Sequence, residues 1–155
     1  LDLYPENVSL RYIQSVLYQA QGRLRFAVKI LESLVEDYPN DAGFLNALGY
    51  LLTDKMDRHV EAKGYLEEAF SAEPKNPAIM DSMGWVLFKL EKYEEALDLL
   101  EQAFEMFPDP EVIAHIIDVQ WALDNQSKAK QILQDALQKH PESPYLQELE
   151  QRISP

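Results

Sequence analysis

Five prolines set the frame for this chain. Pro5, Pro39, Pro74, Pro108 and Pro141 stand 34, 35, 34 and 33 residues apart. A fixed spacing in this range marks a stacked-repeat array. Proline has no amide hydrogen and clashes with the turn before it, so each one ends the apolar-periodic helix that precedes it. The segments between the prolines share a pattern. In residues 77–109, Met80, Met83, Gly84 and Leu87 line one side of a first helix. A polar turn follows at Glu91 and Lys92, then Ala96, Leu100 and Ala103 on a second helix closed by Pro108. Gly84 and Ala96 let the two backbones of the pair approach closely, and Ala103 does the same for the next unit.

The other segments repeat this scheme with differences. In residues 42–76 the slots are filled by Leu45, Leu48, Gly49 and Leu52, then Ala62, Leu66, Ala69 and Pro74. One extra residue is placed in the turn from Asp54 to His59. In residues 8–41, Ser15 stands in the glycine slot, followed by Tyr18, Ala27, Leu31 and Pro39. Leu34 takes the last small position there, so looser or offset packing is expected. Residues 110–143 fit through Ala129, Leu133, Ala136 and Pro141, but Ile117 fills the glycine slot and should push its helix pair apart. Asp41, Asn76 and Asp109 precede first helices and are suited to cap them, the last two with proline at the first helical position. Residues 1–7 read as the tail of an upstream repeat. Residues 144–155 read as a C-terminal capping helix, with Ser143 as N-cap and Tyr145, Leu146, Leu149 and Ile153 covering the last repeat.

The formal net charge is −13. Phosphate backbones and anionic lipid surfaces repel such a chain, which argues against nucleic-acid binding and direct membrane attachment. The acidity either serves solubility alone or favours a basic or neutral peptide. With 46% hydrophobic residues the chain can bury a sizeable core. It has no cysteine, hence neither disulfides nor thiolate metal sites. His59, His115 and His140 read as isolated, with no metal ligand at helical spacing. No phosphate-cradling glycine loop and no nucleophile elbow occurs. Glu67, Glu68, Glu94 and Glu95 fall where second helices face solvent. The expectation is a chain without catalytic residues, metal or cofactor.

The small residues at Gly49, Gly84, Ala62, Ala96 and Ala103, with the closing prolines, resemble the tetratricopeptide-repeat (TPR) pattern. The resemblance covers residues 8–41, 42–76, 77–109 and 110–143 as four repeats. It implies an all-α solenoid of antiparallel helix pairs wound as a right-handed superhelix, with the first helices lining a concave groove. In that register Tyr12, Val16, Gln19, Asn46, Tyr50, Thr53, Asp81, Trp85, Phe88, Lys89, Asp118 and Trp121 point into the groove. The partner-binding set is Tyr12, Asn46, Tyr50, Asp81, Trp85, Phe88, Asp118 and Trp121. Its aromatics suit protein recognition. Trp85 and Trp121 could instead pack between neighbouring helices. TPR domains that clamp chaperone tails use groove Lys, Arg and Asn, and only Asn46 matches here. Asp81 and Asp118 would favour an apolar segment carrying Lys or Arg.

The phrases NALGYLL (46–52), DSMGWVLFKL (81–90) and PDPEVIAHI (108–116) resemble the C-terminal repeats of long bacterial TPR proteins, several of them outer-membrane lipoproteins. That group includes the adaptor of the periplasmic carboxyl-terminal processing protease. The resemblance implies a scaffold that holds a protease, its substrate or both, on the periplasmic side of the outer membrane through an N-terminal anchor upstream of residue 1. The alternatives are a structural spacer or self-association segment of a longer array, and a cytoplasmic location.

Overall fold

The computed structural model describes residues 7–153. The expected upstream tail, apart from Asn7, lies outside the described residues. The chain divides into two compact units, Leu1–Pro74 and Lys75–Pro155. The first holds α1 (Val8–Ala20), α2 (Leu24–Asp37), α3 (Ala42–Lys55) and α4 (His59–Ala72). The second holds α5 (Pro77–Lys89), α6 (Tyr93–Met106), α7 (Pro110–Ala122), α8 (Gln126–Lys139) and α9 (Pro144–Ile153). No strand occurs among the described residues.

Helix starts alternate between two devices. First helices are capped by side chains. The carboxamide or carboxylate oxygens of Asn7, Asp41, Asn76 and Asp109 accept the amides of Leu10 (3.0 Å), Phe44 (2.9 Å), Ala78 (3.0 Å) and Glu111 (2.8 Å). Each satisfies one orphan donor of the first turn. Second helices α2, α4, α6 and α8 have no side-chain cap. They are entered through left-handed turns at Gly22, Asp57, Glu91 and Asp124. In three of these the amide two residues beyond the C-cap reaches back five residues: Arg23 to Tyr18 O, Lys92 to Leu87 O and Asn125 to Gln120 O. This 6→1 closure is the Schellman geometry. In the fourth, Arg58 N reaches back six residues to Leu52 O, and so absorbs the extra residue of that repeat.

The glycine slots govern how closely helices pair. A Cβ at Gly49 would sit 2.5 Å from Leu66 Cγ and 3.2 Å from Ala62 O, and one at Gly84 would sit 2.6 Å from Leu100 Cγ and 3.3 Å from Ala96 O. Only a residue without a side chain fits there. Accordingly α3/α4 and α5/α6 pack along each other most extensively, α1/α2 with Ser15 less so, and α7/α8 with Ile117 least. Leu34 leaves no gap. It is fully enclosed.

The apolar faces follow the 3.6-residue period. In the second unit Ala114, Ile117, Ala129, Leu133 and Ala136 form one cluster with Leu146, Leu149 and Ile153 of α9. Tyr145 is nearly half exposed. One expectation for α9 needs correction. The Ser143 hydroxyl is buried without a hydrogen-bond partner, so it caps nothing. The backbone carbonyl of Ser143 instead accepts Gln147 N (3.1 Å), and Gln147 Nε2 donates to Pro141 O (2.8 Å).

Candidate functional site

Each first helix turns a second face away from its partner helix, and the sequence reading places recognition there. In the first unit this face is open. Tyr12 is 39% exposed and Val16 46% exposed. Gln19, Asn46 and Tyr50 are half-buried. The Tyr12 ring lies 6.0 Å from that of Phe44, which in turn lies 6.0 Å from Tyr38. The Asn46 Oδ1 atom is enclosed without a partner. Thr53, expected to point into the groove, does not. It is fully buried, and its hydroxyl donates to Gly49 O at 2.8 Å within its own helix.

In the second unit the corresponding face is largely closed, which corrects the placement of two expected groove residues. Asp81 and Trp85 are only 8% and 6% exposed. His115 on α7 lies over both. Its Nδ1 is 2.8 Å from Asp81 Oδ1, and its ring stacks on Trp85 at 4.0 Å and 18°. Phe88, half-buried, stacks on Trp85 from within α5 at 5.0 Å and 22°. Lys89 Nζ stands 4.7 Å from the Trp85 ring centre, within cation–π range. Asp118 is largely buried and accepts a hydrogen bond from Arg152 Nη2 of α9 at 2.7 Å. Trp121 is half-buried and packs on the α7–α9 core, with Lys130 Nζ 5.9 Å from its ring.

The electrostatics follow from this closure. Burial alone would pull the His115 pKa down. The hydrogen bond and charge of Asp81, with Glu111 and Asp118 behind, outweigh it and hold the group above the ordinary 6.5. Burial raises the Asp118 carboxyl, against the lowering effect of Arg152, His115 and Lys89. His115 is therefore not isolated. The signal that could have found it was in the sequence: Asp81 and His115 are 34 residues apart, as are Asp118 and Arg152. That separation is one repeat, so each pair joins neighbouring first helices.

No cluster of three or more His, Cys, Asp or Glu side chains able to hold a metal occurs among the described residues. No described helix is long and apolar enough to cross a membrane. What the face offers chemically is aromatic area, amides and paired charges.

Comparison with known proteins gives a consistent result. A family model described as tetratricopeptide repeat matches residues 55–112 and 87–153. A second model of the same description matches residues 10–41. A TPR repeat-containing protein of Pseudomonas aeruginosa is 39% identical over 116 residues, which is 75% of this chain and 20% of that protein. The chain thus spans about one fifth of that relative. Among solved structures, a thermophilic TPR protein of Thermus thermophilus superposes with a TM-score of 0.81 at 19% identity, covering 96% of this chain and 82% of the other. The pilF protein of Pseudomonas aeruginosa gives 0.74 at 20% identity, covering 90% and 64%. MamA of Desulfovibrio magneticus gives 0.72 at 16% identity, covering 90% and 79%. At these identities the structural likenesses establish the fold alone.

Proposed function

Because this chain belongs to the tetratricopeptide-repeat family and has its solenoid fold, we propose that it is a non-catalytic scaffold that holds a partner protein. Its contact surface is the first-unit face of Tyr12, Val16, Asn46 and Tyr50. The observation that carries this reading is the exposure of Tyr12 and Val16 at 39% and 46%, while Asp81 and Trp85 of the second unit are occupied by His115. Aromatic and branched apolar groups left in water on a rigid helix gain most from desolvation by a partner. The net charge of −13 favours a segment that is basic or neutral.

The finer reading is an adaptor that brings a substrate to a periplasmic protease, carried on the periplasmic side of the outer membrane by an anchored, longer protein. Support for it is the likeness of residues 46–52, 81–90 and 108–116 to repeats of that protein group. The test is capture from a bacterial envelope extract, read by mass spectrometry, with the chain and a Tyr12→Ala, Val16→Ser variant as paired baits. Both are first checked for equal helicity. A protein held by the first and lost by the second supports the reading, and a protease or its substrate among the losses supports the adaptor role. If both recover the same proteins, or neither recovers any, this face is not the contact surface.

A second reading applies to the second unit alone, where the buried state of Asp81 and Trp85 favours a structural segment. It holds if Phe88→Ala leaves capture unchanged.

A further inference from the structure

We infer that Asp81, His115 and Trp85 form a proton-sensitive clasp between α5 and α7, closed when the His115 ring carries its proton and loosened when it does not. The proposal does not rest on the partner-binding reading.

The geometry has three parts. Asp81 is a carboxylate with almost no contact with water, and its Oδ1 faces His115 Nδ1 at 2.8 Å. A charge removed from water persists cheaply only beside an opposite one. The imidazole itself is 6% exposed. Its face lies 4.0 Å from the Trp85 ring, so the group that neutralises Asp81 is also the lid over the indole. A neutral imidazole can still donate from Nδ1, but it leaves the enclosed carboxylate without a counter-charge.

The charges around His115 act in one direction. From α5 there is Asp81, while the cation of that helix, Lys89, sits over Trp85. From α7 itself there are Glu111 and Asp118. Asp118 is matched by Arg152 of α9. The remaining charged groups of α6 (Glu94, Glu95, Asp98, Glu101, Glu105), of α8 (Lys128, Lys130, Asp135, Lys139) and of α9 (Glu148, Glu150) occupy exposed positions. The local field therefore favours the imidazolium, in line with the upward direction of the His115 pKa. A group raised in the folded state contributes its stabilisation in full below its unfolded value and loses it as pH rises through its folded value. The clasp thus opens on the alkaline side, and acidification tightens it.

The test is acrylamide quenching of Trp85 in a Trp121→Phe background, from about pH 5 to about pH 9, a span that brackets an ordinary histidine. In parallel, the indole N–H of Trp85 and the ring of His115 are followed by NMR in the unaltered chain. Trp85 should be protected at the acid end and become accessible in one step, with a midpoint above 6.5 that coincides with the His115 titration. Asp81→Asn should move that midpoint down, and His115→Gln should abolish the step. Trp85 accessibility that stays flat while His115 titrates, or a step that survives His115→Gln, overturns the clasp. Should Trp121→Phe lose helicity, the Trp85 indole resonance in the unaltered chain gives the same reading. A purely structural role for His115 predicts equal accessibility at both ends.

Discussion

Two hairpins of the second unit solve the same packing problem in opposite ways. In α5/α6 the slot facing the partner helix holds Gly84, and Leu100 fills the space so completely that a single added carbon would meet its Cγ at 2.6 Å. In α7/α8 the same slot holds Ile117, fully buried, and the two helices pack along each other less extensively. Ile117 is not a defect in that pair. It supplies apolar volume to a core shared with Leu133 and, beyond the pair, with Leu146 and Leu149 of α9. The difference teaches that what the two hairpins share is filled volume, not the residue that fills it. The space is filled from the second helix in one hairpin and from the first helix in the other.

Breaking the comparison outright means giving α7 the residue of α5. Ile117→Gly should not draw α7 and α8 together, because Ala129, Leu133 and α9 are already placed around the larger side chain. It should leave a void, add the helix penalty of glycine, and cost about 4 kcal/mol, read by urea unfolding. The converse change is smaller. Gly84→Ala drives a Cβ against Leu100 and near the carbonyl of Ala96, and should cost about 2 kcal/mol by the same measurement. A gain of stability in either variant would refute the volume argument.

Two further changes sharpen it. Glu91, at the turn between α5 and α6, sits at a φ of 62°, where a side chain is strained. Glu91→Gly should raise the stability of that hairpin by about 1 kcal/mol, seen as a higher unfolding midpoint. Gly64 in α4 is the control for the slot glycines, since a Cβ there would meet nothing within 4 Å. Gly64→Ala should stabilise by about 0.5–1 kcal/mol through helix propensity alone. Loss of stability there would mean that α4 needs its glycine for a reason other than packing.

Much of this architecture was legible before any coordinates. The proline period located the hairpins, and Asp41, Asn76 and Asp109 marked helix starts, because capping is a local interaction between residues two or three apart. The burial of Ile117 was legible too, since it stands in a slot that faces the partner helix. The candidate face was less so. Helical period gives the direction of Trp85 and Asp81 from the axis of α5, but says nothing of what a neighbouring helix lays over them. His115 does so from one repeat away, and a reading of each histidine within its own helix could not see it. Thr53 and Ser143 failed for a related reason. A hydroxyl chooses between the helix behind it, a cap or nothing, by rotations too small to leave a trace in sequence pattern.

The contact pattern carries a kinetic consequence. Within the first unit helices pack only on their sequence neighbours, and within the second the longest-range packing, α5 on α7 and α7 on α9, spans a single repeat. Among the described residues, no helix of either unit packs within its unit on one more than a repeat away, so little loop-closure entropy stands between the unfolded state and the first stable hairpin. Folding of such a chain should be fast, in the microsecond-to-millisecond range of low-contact-order helical proteins, with growth outward from whichever hairpin forms first. The tightly closed glycine pairs, α3/α4 and α5/α6, are the natural starting points, one in each unit.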